Sequence, residues 1–333
     1  MTLYQGGQYK LYTYRKYTDV RLVFAPEGDA AFFGGDPDNW NFPRYALDCS
    51  FVRLYENGKP AATPDHLRWS ALPPKEGELL FTAGTPGTTQ RLLTADQLST
   101  LRDLDIPEIL ILYSELRGQL LRFTAESSEH TRIGNEDLFS VENSFKANRG
   151  VEKALVDPTL IAAKRVAERE LKARASKDPK LAAEVGNPWN DIAKAQLQLK
   201  ELYFRYYDLE SRAAYPSILF VYARDLVRAA QERPKPNGER LREFTDSRLA
   251  SLAKTLLDPQ PVYPELEQLK LAFWLAKLRE HLTPDSPDTR LFLGKESPET
   301  LAARLALPSW ATQRSARPCG RAAYRQFKPP TIP

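Results

Sequence analysis

The sequence has few of the residues that most metal and covalent chemistry uses. Its 333 residues include two cysteines, Cys49 and Cys319, and three histidines, His66, His130 and His281. Two cysteines exclude a disulfide scaffold and a four-cysteine zinc site. No run approaches the roughly 20 apolar residues of a transmembrane helix, and residues 2–7 show no signal peptide. The net charge of +4 is too small for a general binder of nucleic-acid phosphates. We therefore expect a globular chain with no metal, no cofactor, no membrane span and no nucleic-acid partner.

The first 95 residues have the pattern of β-structure. Apolar residues alternate with polar ones or form short runs bounded by proline and glycine, as in strands. Asn57 and Gly58 form a hairpin turn signal. Strands are predicted in four segments: 9–13, 20–24, 46–55 and 79–83. Short strands separated by turns favour a barrel or a sandwich.

After Thr94 the periodicity becomes helical. Thr94 and Gln97 fit a capping box, in which both side chains satisfy free backbone N–H groups. Residues 160–180 are rich in charge and alanine, which predicts a long solvated helix. Further helices are predicted to begin at proline, which is favoured at the first helical position: Pro158, Pro188, Pro216, Pro264 and Pro298. A stripe at helical spacing is predicted to pack inwards: Leu199, Leu202, Tyr203, Tyr206 and Leu209.

The final segment, 311–333, has basic residues and no acidic ones. A disordered basic tail and a nucleic-acid-binding arm are both compatible with this composition. Translation in a shifted frame is a third interpretation. Residues 311–321 can be back-translated with permitted codons so that another reading frame encodes a more ordinary helical sequence. The sequence leaves these three interpretations open.

The densest local signal is the segment 32–44, which combines glycines, prolines, acidic and amide residues, and aromatics. Loops of this composition often carry function, although a structural turn with aromatic plugs fits equally well. A calcium loop starting at Asp36 is excluded, because Leu47 stands where a bidentate glutamate is required. Asp48 lies in a predicted strand, where it could orient an imidazole or could face water at a sheet edge. No histidine lies near a nucleophile signature, so these residues alone do not complete a catalytic group.

Five segments together resemble one family, the dipeptidyl-peptidase 7 and dipeptidyl-peptidase 11 family of serine exopeptidases. They are 6–23 (GGQYKLYTYRKYTDVRLV), 32–40 (FFGGDPDNW), 43–45 (PRY), 86–91 (PGTTQR) and 142–147 (ENSFKA). The resemblance covers residues 4–305. It implies release of dipeptides from free peptide N-termini by acyl transfer through a serine.

The resemblance also implies an α+β fold, a chymotrypsin-like β-barrel into which a large, mostly α-helical domain is inserted. We accordingly expect an incomplete barrel half over 1–95, a helical capping domain over 96–310 and an irregular basic tail over 311–333. A homodimer, and a periplasmic or cell-surface location, are expected for an intact family member.

Four residues match positions to which the family assigns roles. Asp48 resembles the triad aspartate, which holds the histidine tautomer. Asn39 and Trp40 resemble a substrate-anchoring pair, and Asn143 resembles the amide that takes the substrate's terminal ammonium. Asn148 is a nearby alternative to Asn143.

The triad histidine and serine of the family have no counterparts in this sequence. We therefore expect a fragment of a family member that is inactive alone. The alternative is a non-catalytic helical module for protein interaction.

Overall fold

The computed structural model describes residues 2–3, 8–32, 41, 43, 45–81, 90–257 and 261–306. This part of the chain is mostly helical and carries small antiparallel sheets. Strands β1 (Thr2–Leu3) and β2 (Gln8–Tyr9) form one pair. Strands β3 (Asp19–Phe24), β4 (Phe51–Glu56) and β5 (Lys59–Pro60) form a three-stranded sheet.

The β3–β4–β5 sheet exposes apolar side chains on both of its faces. Leu22 is 68% exposed, and Val23, which points to the opposite face, is 57% exposed. Their neighbours on β4, Phe51 and Val52, are also exposed. A sheet normally buries at least one face against another layer. Within the described residues, therefore, this sheet has no covering layer.

The strand predictions are right for 20–24 and for the hairpin, and wrong in three other places. Asn57 and Gly58 have positive φ angles of 52° and 74°, as a tight hairpin turn requires. Residues 10–13, 46–50 and 79–81 are not in strands, and residues 82–83 lie outside the described residues. Strand β4 starts only at Phe51 because its partner Phe24 ends β3, and Pro26 has no N–H to extend the ladder.

Twelve α-helices are found in the described residues. A short one, α1 (Gly28–Ala31), precedes β4. The others are α2 (Ala95–Thr100), α3 (Ile106–Glu126), α4 (Ser128–Leu155), α5 (Pro158–Ala175), α6 (Pro179–Val185), α7 (Pro188–Tyr206), α8 (Ile218–Glu232), α9 (Asp246–Leu257), α10 (Pro264–Leu282), α11 (Pro287–Leu293) and α12 (Pro298–Ala306). Single π-helical turns follow α2 (Leu101–Asp105) and α7 (Tyr207–Ser211), and 3-10 turns span Asn237–Glu239 and Arg242–Phe244. None of the described helices is long and apolar enough to cross a bilayer.

The sequence predicted most helix starts correctly. The capping box of α2 is present, with Thr94 and Gln97 each accepting the other's backbone N–H. Four of the five prolines begin helices. Pro216 does not, because Ser217 caps α8 by accepting the N–H of Phe220, and the helix begins at Ile218.

Two helix predictions need correction. The helix predicted over 160–180 ends at Ala175, and Asp178 caps a new helix at Pro179. In the predicted apolar stripe Tyr203 is buried, whereas Leu202 and Tyr206 are more than half exposed. The stripe is therefore narrower than its spacing predicts.

The chain divides into two compact units. The first comprises Met1–Tyr113 and Phe139–Gln196, and the second comprises Ser114–Leu138 and Leu197–Pro333. A core of the first unit joins α2, the start of α3, α4 and α5 through Ala95, Leu98, Ile106, Leu155 and Ile161. The main core of the second unit surrounds Trp274, Leu275 and Leu278 of α10. The predicted domain limits at residues 95 and 310 stay predictions.

Candidate functional site

Two of the four predicted site residues, Asp48 and Asn143, are described, and both lie in the first unit. Asn39 and Trp40 lie outside the described residues. Three local contacts indicate how the described chain near Asp48 and Asn143 is arranged.

Asp48 lies on an extended segment beside α1. The N–H of Leu47 donates to the carbonyl of Ala30 at 2.9 Å, which ties this segment to the helix. Asp48 itself is exposed, and it has no hydrogen-bond or ion-pair partner within residues 8–32 and 45–81. Strand β4 begins at Phe51, so Asp48 lies three residues before the strand rather than inside it.

An aromatic contact holds Phe32, the residue before the glycine-rich segment 33–40, against α4. The rings of Phe32 and Phe139 meet edge to face, with centroids 5.4 Å apart and an interplanar angle of 68°. Phe32 directly precedes the segment that carries Asn39 and Trp40. Phe139 lies one turn, about 6 Å along the helix axis, before Asn143. The contact thus brings the root of that segment to the helix that bears Asn143.

The two candidate amides on α4 are in different environments. Asn148 is partly buried, and its Nδ2 donates to the carbonyl of Ser144 at 2.7 Å, within its own helix. Asn143 is exposed and follows the buried Glu142. Asn143 is therefore the more accessible of the two to a ligand from solvent.

The three histidines each have partners other than Asp48. His66 is exposed, and its Nδ1 lies 3.1 Å from the carbonyl oxygen of Thr63. His281 is paired through Nδ1 with the buried Asp208 at 2.9 Å. Within the described residues, Asp48 is thus not joined to an imidazole.

His130 lies in a cleft of about 620 Å³ in the second unit. It stacks on Phe123 at 4.1 Å, and its Nε2 lies 2.7 Å from Glu265 Oε2. Its Nδ1 is 3.2 Å from Glu126, close enough for an ion pair but without hydrogen-bond geometry. The hydrogen bond to Glu265 raises the pKa of His130 above its ordinary value, because it favours the protonated ring.

The structure also contains a buried ionic network that sequence patterns did not predict. Lys270 Nζ lies 2.6 Å from Asp137 and 3.4 Å from Glu267, and both Lys270 and Glu267 are almost fully buried. Glu267 also accepts from the hydroxyl of Ser217 and the N–H of Leu219. The only sequence signal was a pair of opposite charges three residues apart on one helix. This network is a structural element that ties α10 to the start of α8.

Metal binding in the described part of the chain would need several ligating side chains close together. There, no group of three or more histidine, cysteine, aspartate or glutamate side chains has an arrangement that could hold a metal ion.

The comparisons with known proteins agree on one family. The model of the family described as Peptidase S46 matches residues 1–318. The Asp/Glu-specific dipeptidyl-peptidase of Shewanella putrefaciens is 28% identical over 280 residues, 77% of this chain. Dipeptidyl-peptidase 7 of Phocaeicola vulgatus is 30% identical over 185 residues, 52% of this chain.

A solved structure shows a similar fold. The crystal structure of Porphyromonas endodontalis DPP11 superposes with a TM-score of 0.55 and 21% identity over 93% of this chain. The same protein has also been solved in complex with the dipeptide Arg-Asp.

The chain spans much less than the full length of these relatives. The matched regions make up 36% of the Shewanella protein, 25% of the Phocaeicola protein and 47% of the solved chain. The family model nevertheless covers nearly the whole sequence printed here, so the chain belongs to the Peptidase S46 family.

Proposed function

We propose that this chain forms the amine-anchoring part of a serine-type dipeptidyl peptidase, which releases dipeptides from free peptide N-termini by acyl transfer. The observation that carries the proposal is the Phe32–Phe139 contact, which brings the root of the segment bearing Asn39 and Trp40 to the helix bearing Asn143. The family relatives named as dipeptidyl peptidases support it.

The anchor has a direct chemical basis. The terminal ammonium of a peptide is a donor of three hydrogen bonds, and an amide oxygen is a good acceptor for it. Asn143 and Asn39 are proposed to accept from this ammonium, while the face of Trp40 adds a wall and a cation–π attraction. Asn143 is preferred to Asn148 because Asn143 is exposed, whereas Asn148 is partly buried. Holding the amine at a fixed distance from the nucleophile makes the second peptide bond the one that is cut.

The exposed sheet supports a role as part of a larger barrel. Both faces of β3–β4 carry exposed apolar side chains, a surface that is costly to leave in water. We propose that chain outside the described residues covers this sheet and completes a chymotrypsin-like barrel. Asp48 would then be enclosed beside the sheet, where it would hold the imidazole of the triad in the required tautomer.

The helical part of the chain is proposed to cap the cleft beyond the amine anchor. Such a cap leaves no room for chain on the far side of the N-terminus, so the enzyme acts as an exopeptidase. Peptides with a free N-terminus are the proposed substrates. A homodimer in the periplasm or at the cell surface is the proposed setting of the whole protein.

Binding of matched dipeptides tests the proposal without requiring turnover. We expect this chain to bind Arg-Asp, and to bind N-acetyl-Arg-Asp about ten- to a hundredfold more weakly, because acetylation removes the charged donor. Isothermal titration calorimetry measures both affinities, and both ligands keep the same carboxylates. Equal affinities would overturn the amine anchor and favour the helical interaction module.

A further inference from the structure

A second cleft, which we call the arginine cleft, lies within the second unit between the end of the π-turn Tyr207–Ser211, the start of α8 and the end of α9. Its volume is about 670 Å³. Small-molecule sites typically measure about 300–1,000 Å³, so the cleft is large enough for a metabolite or a short peptide end. It does not include any residue of the proposed amine anchor.

Three cations line the arginine cleft: Arg212, Arg224 and Lys254. Among the described residues, no aspartate or glutamate lines it. Glu210 and Asp225 interact with Arg224 from outside the lining. Glu210 is also held by Arg228, through paired hydrogen bonds from its guanidinium. The described wall of the cleft therefore carries cations and no carboxylate, and Glu210 also neutralises Arg228 outside the lining.

The two arginines are held in place by neighbouring side chains and backbone. The guanidinium of Arg212 lies over the rings of Tyr207 and Tyr215, 5.2 Å and 5.5 Å from their centroids. Arg224 Nη1 donates to the carbonyl of Glu210 at 3.1 Å, whereas Arg224 Nε is buried and has no acceptor among the described residues. The contacts of Arg212 and of Arg224 Nη1 restrain both guanidinium groups.

The rest of the lining is apolar, aromatic or hydroxyl-bearing. Tyr215, Pro216, Ile218, Val221 and Tyr222 supply most of this surface. Arginine presents a planar fork of donors that matches a carboxylate, and an apolar wall fits a hydrocarbon body. We propose that the arginine cleft binds a small organic carboxylate with an apolar or aromatic body.

Calorimetric titration of the full chain with N-acetylphenylalanine tests this proposal. This ligand has no free amine, so its binding is independent of the proposed amine anchor. N-acetylphenylalaninamide is its uncharged match, and inorganic phosphate is an anion without an apolar body. We expect the carboxylate to bind at least about tenfold more tightly than either control, the usual gain of one charge-assisted hydrogen bond. Equal binding of the amide, equal binding of phosphate, or no binding of the carboxylate would each overturn the proposal.

Variants locate the site. Lys254 is exposed and has no ion pair in the described part of the chain, so Lys254→Gln leaves the fold unchanged and is expected to weaken binding about threefold to tenfold. Lys295→Gln, an exposed lysine of the same unit outside the cleft, is the matched control and leaves the affinity unchanged. Arg224→Lys keeps the charge but removes the planar fork of guanidinium donors, and a further loss of affinity is expected. Should Lys254→Gln and Lys295→Gln weaken binding equally, the cleft is not the site.

Discussion

Replacing Glu267 should destabilise the second unit more than any exposed carboxylate of the same helix. The Glu267 side chain is 2% exposed. It accepts from the Ser217 hydroxyl at 2.6 Å and from the Leu219 N–H at 3.1 Å, and it lies 3.4 Å from Lys270 Nζ. Ser217 in turn caps α8, so one carboxylate serves both an ion pair and a helix start.

The expected cost follows from what each substitution leaves unpaired. Glu267→Ala removes one partner of a buried ion pair, which typically costs about 3–5 kcal/mol. Lys270 keeps its ion pair with Asp137, so we expect the lower half of this range. Glu267→Gln keeps an acceptor for Ser217 and Leu219 but loses the charge, and should cost about 1–2 kcal/mol. Glu280→Ala is the control: Glu280 is 60% exposed and pairs with Lys277, a contact worth at most about 1 kcal/mol.

Urea unfolding followed by far-UV circular dichroism measures these free energies, because the helical signal is lost when the helices of the second unit unfold. The expected order of destabilisation is Glu267→Ala, then Glu267→Gln, then Glu280→Ala. A cost of Glu267→Ala no larger than that of Glu280→Ala would refute the reasoning, since burial would then add nothing to the value of the carboxylate.

Two further predictions concern helix packing and pH. A Cβ at the buried Gly134 would lie 2.9 Å from Thr124 Cγ2, so Gly134→Ala should lower the free energy of unfolding by about 1–3 kcal/mol. Gly118 has open space around it, so Gly118→Ala should raise the free energy of unfolding by about 0.5–1 kcal/mol. Urea unfolding of both variants checks these opposite signs. The hydrogen bond to Glu265 raises the pKa of His130. The protonated His130 therefore stabilises the fold fully below the unfolded pKa of about 6.5, and this stabilisation is lost as the pH rises through the higher folded pKa. The melting temperature of the wild type relative to His130→Gln should therefore fall across that interval, and a difference independent of pH would contradict this assignment.

The sequence predicted helices more reliably than strands, for a physical reason. A helix start is a local event: the hydroxyl of Thr94 and the prolines at 158 and 298 act within one turn, and each is found where the pattern placed it. A strand needs a partner that local sequence does not specify. Residues 46–50 have the composition of a strand but no described neighbouring strand, because β3 ends before Pro26.

Sequence motifs predicted residues of the candidate site but not the contacts between them. The segment 32–40 and Asn143 were identified by resemblance, but the Phe32–Phe139 contact joins residues 107 positions apart and has no local signal. The three cations of the arginine cleft come from the π-turn region, α8 and α9, and only the fold brings them together.

The central claim is that Asn143 recognises the free amine of a peptide. A thermodynamic cycle measures this directly, from the affinities of Arg-Asp and N-acetyl-Arg-Asp for the wild type, Asn143→Ala and the control Asn148→Ala. We predict that acetylation weakens binding to the wild type and to Asn148→Ala about ten- to a hundredfold, and that this penalty shrinks to about threefold or less in Asn143→Ala. An acetylation penalty that is the same in all three proteins would contradict the claim.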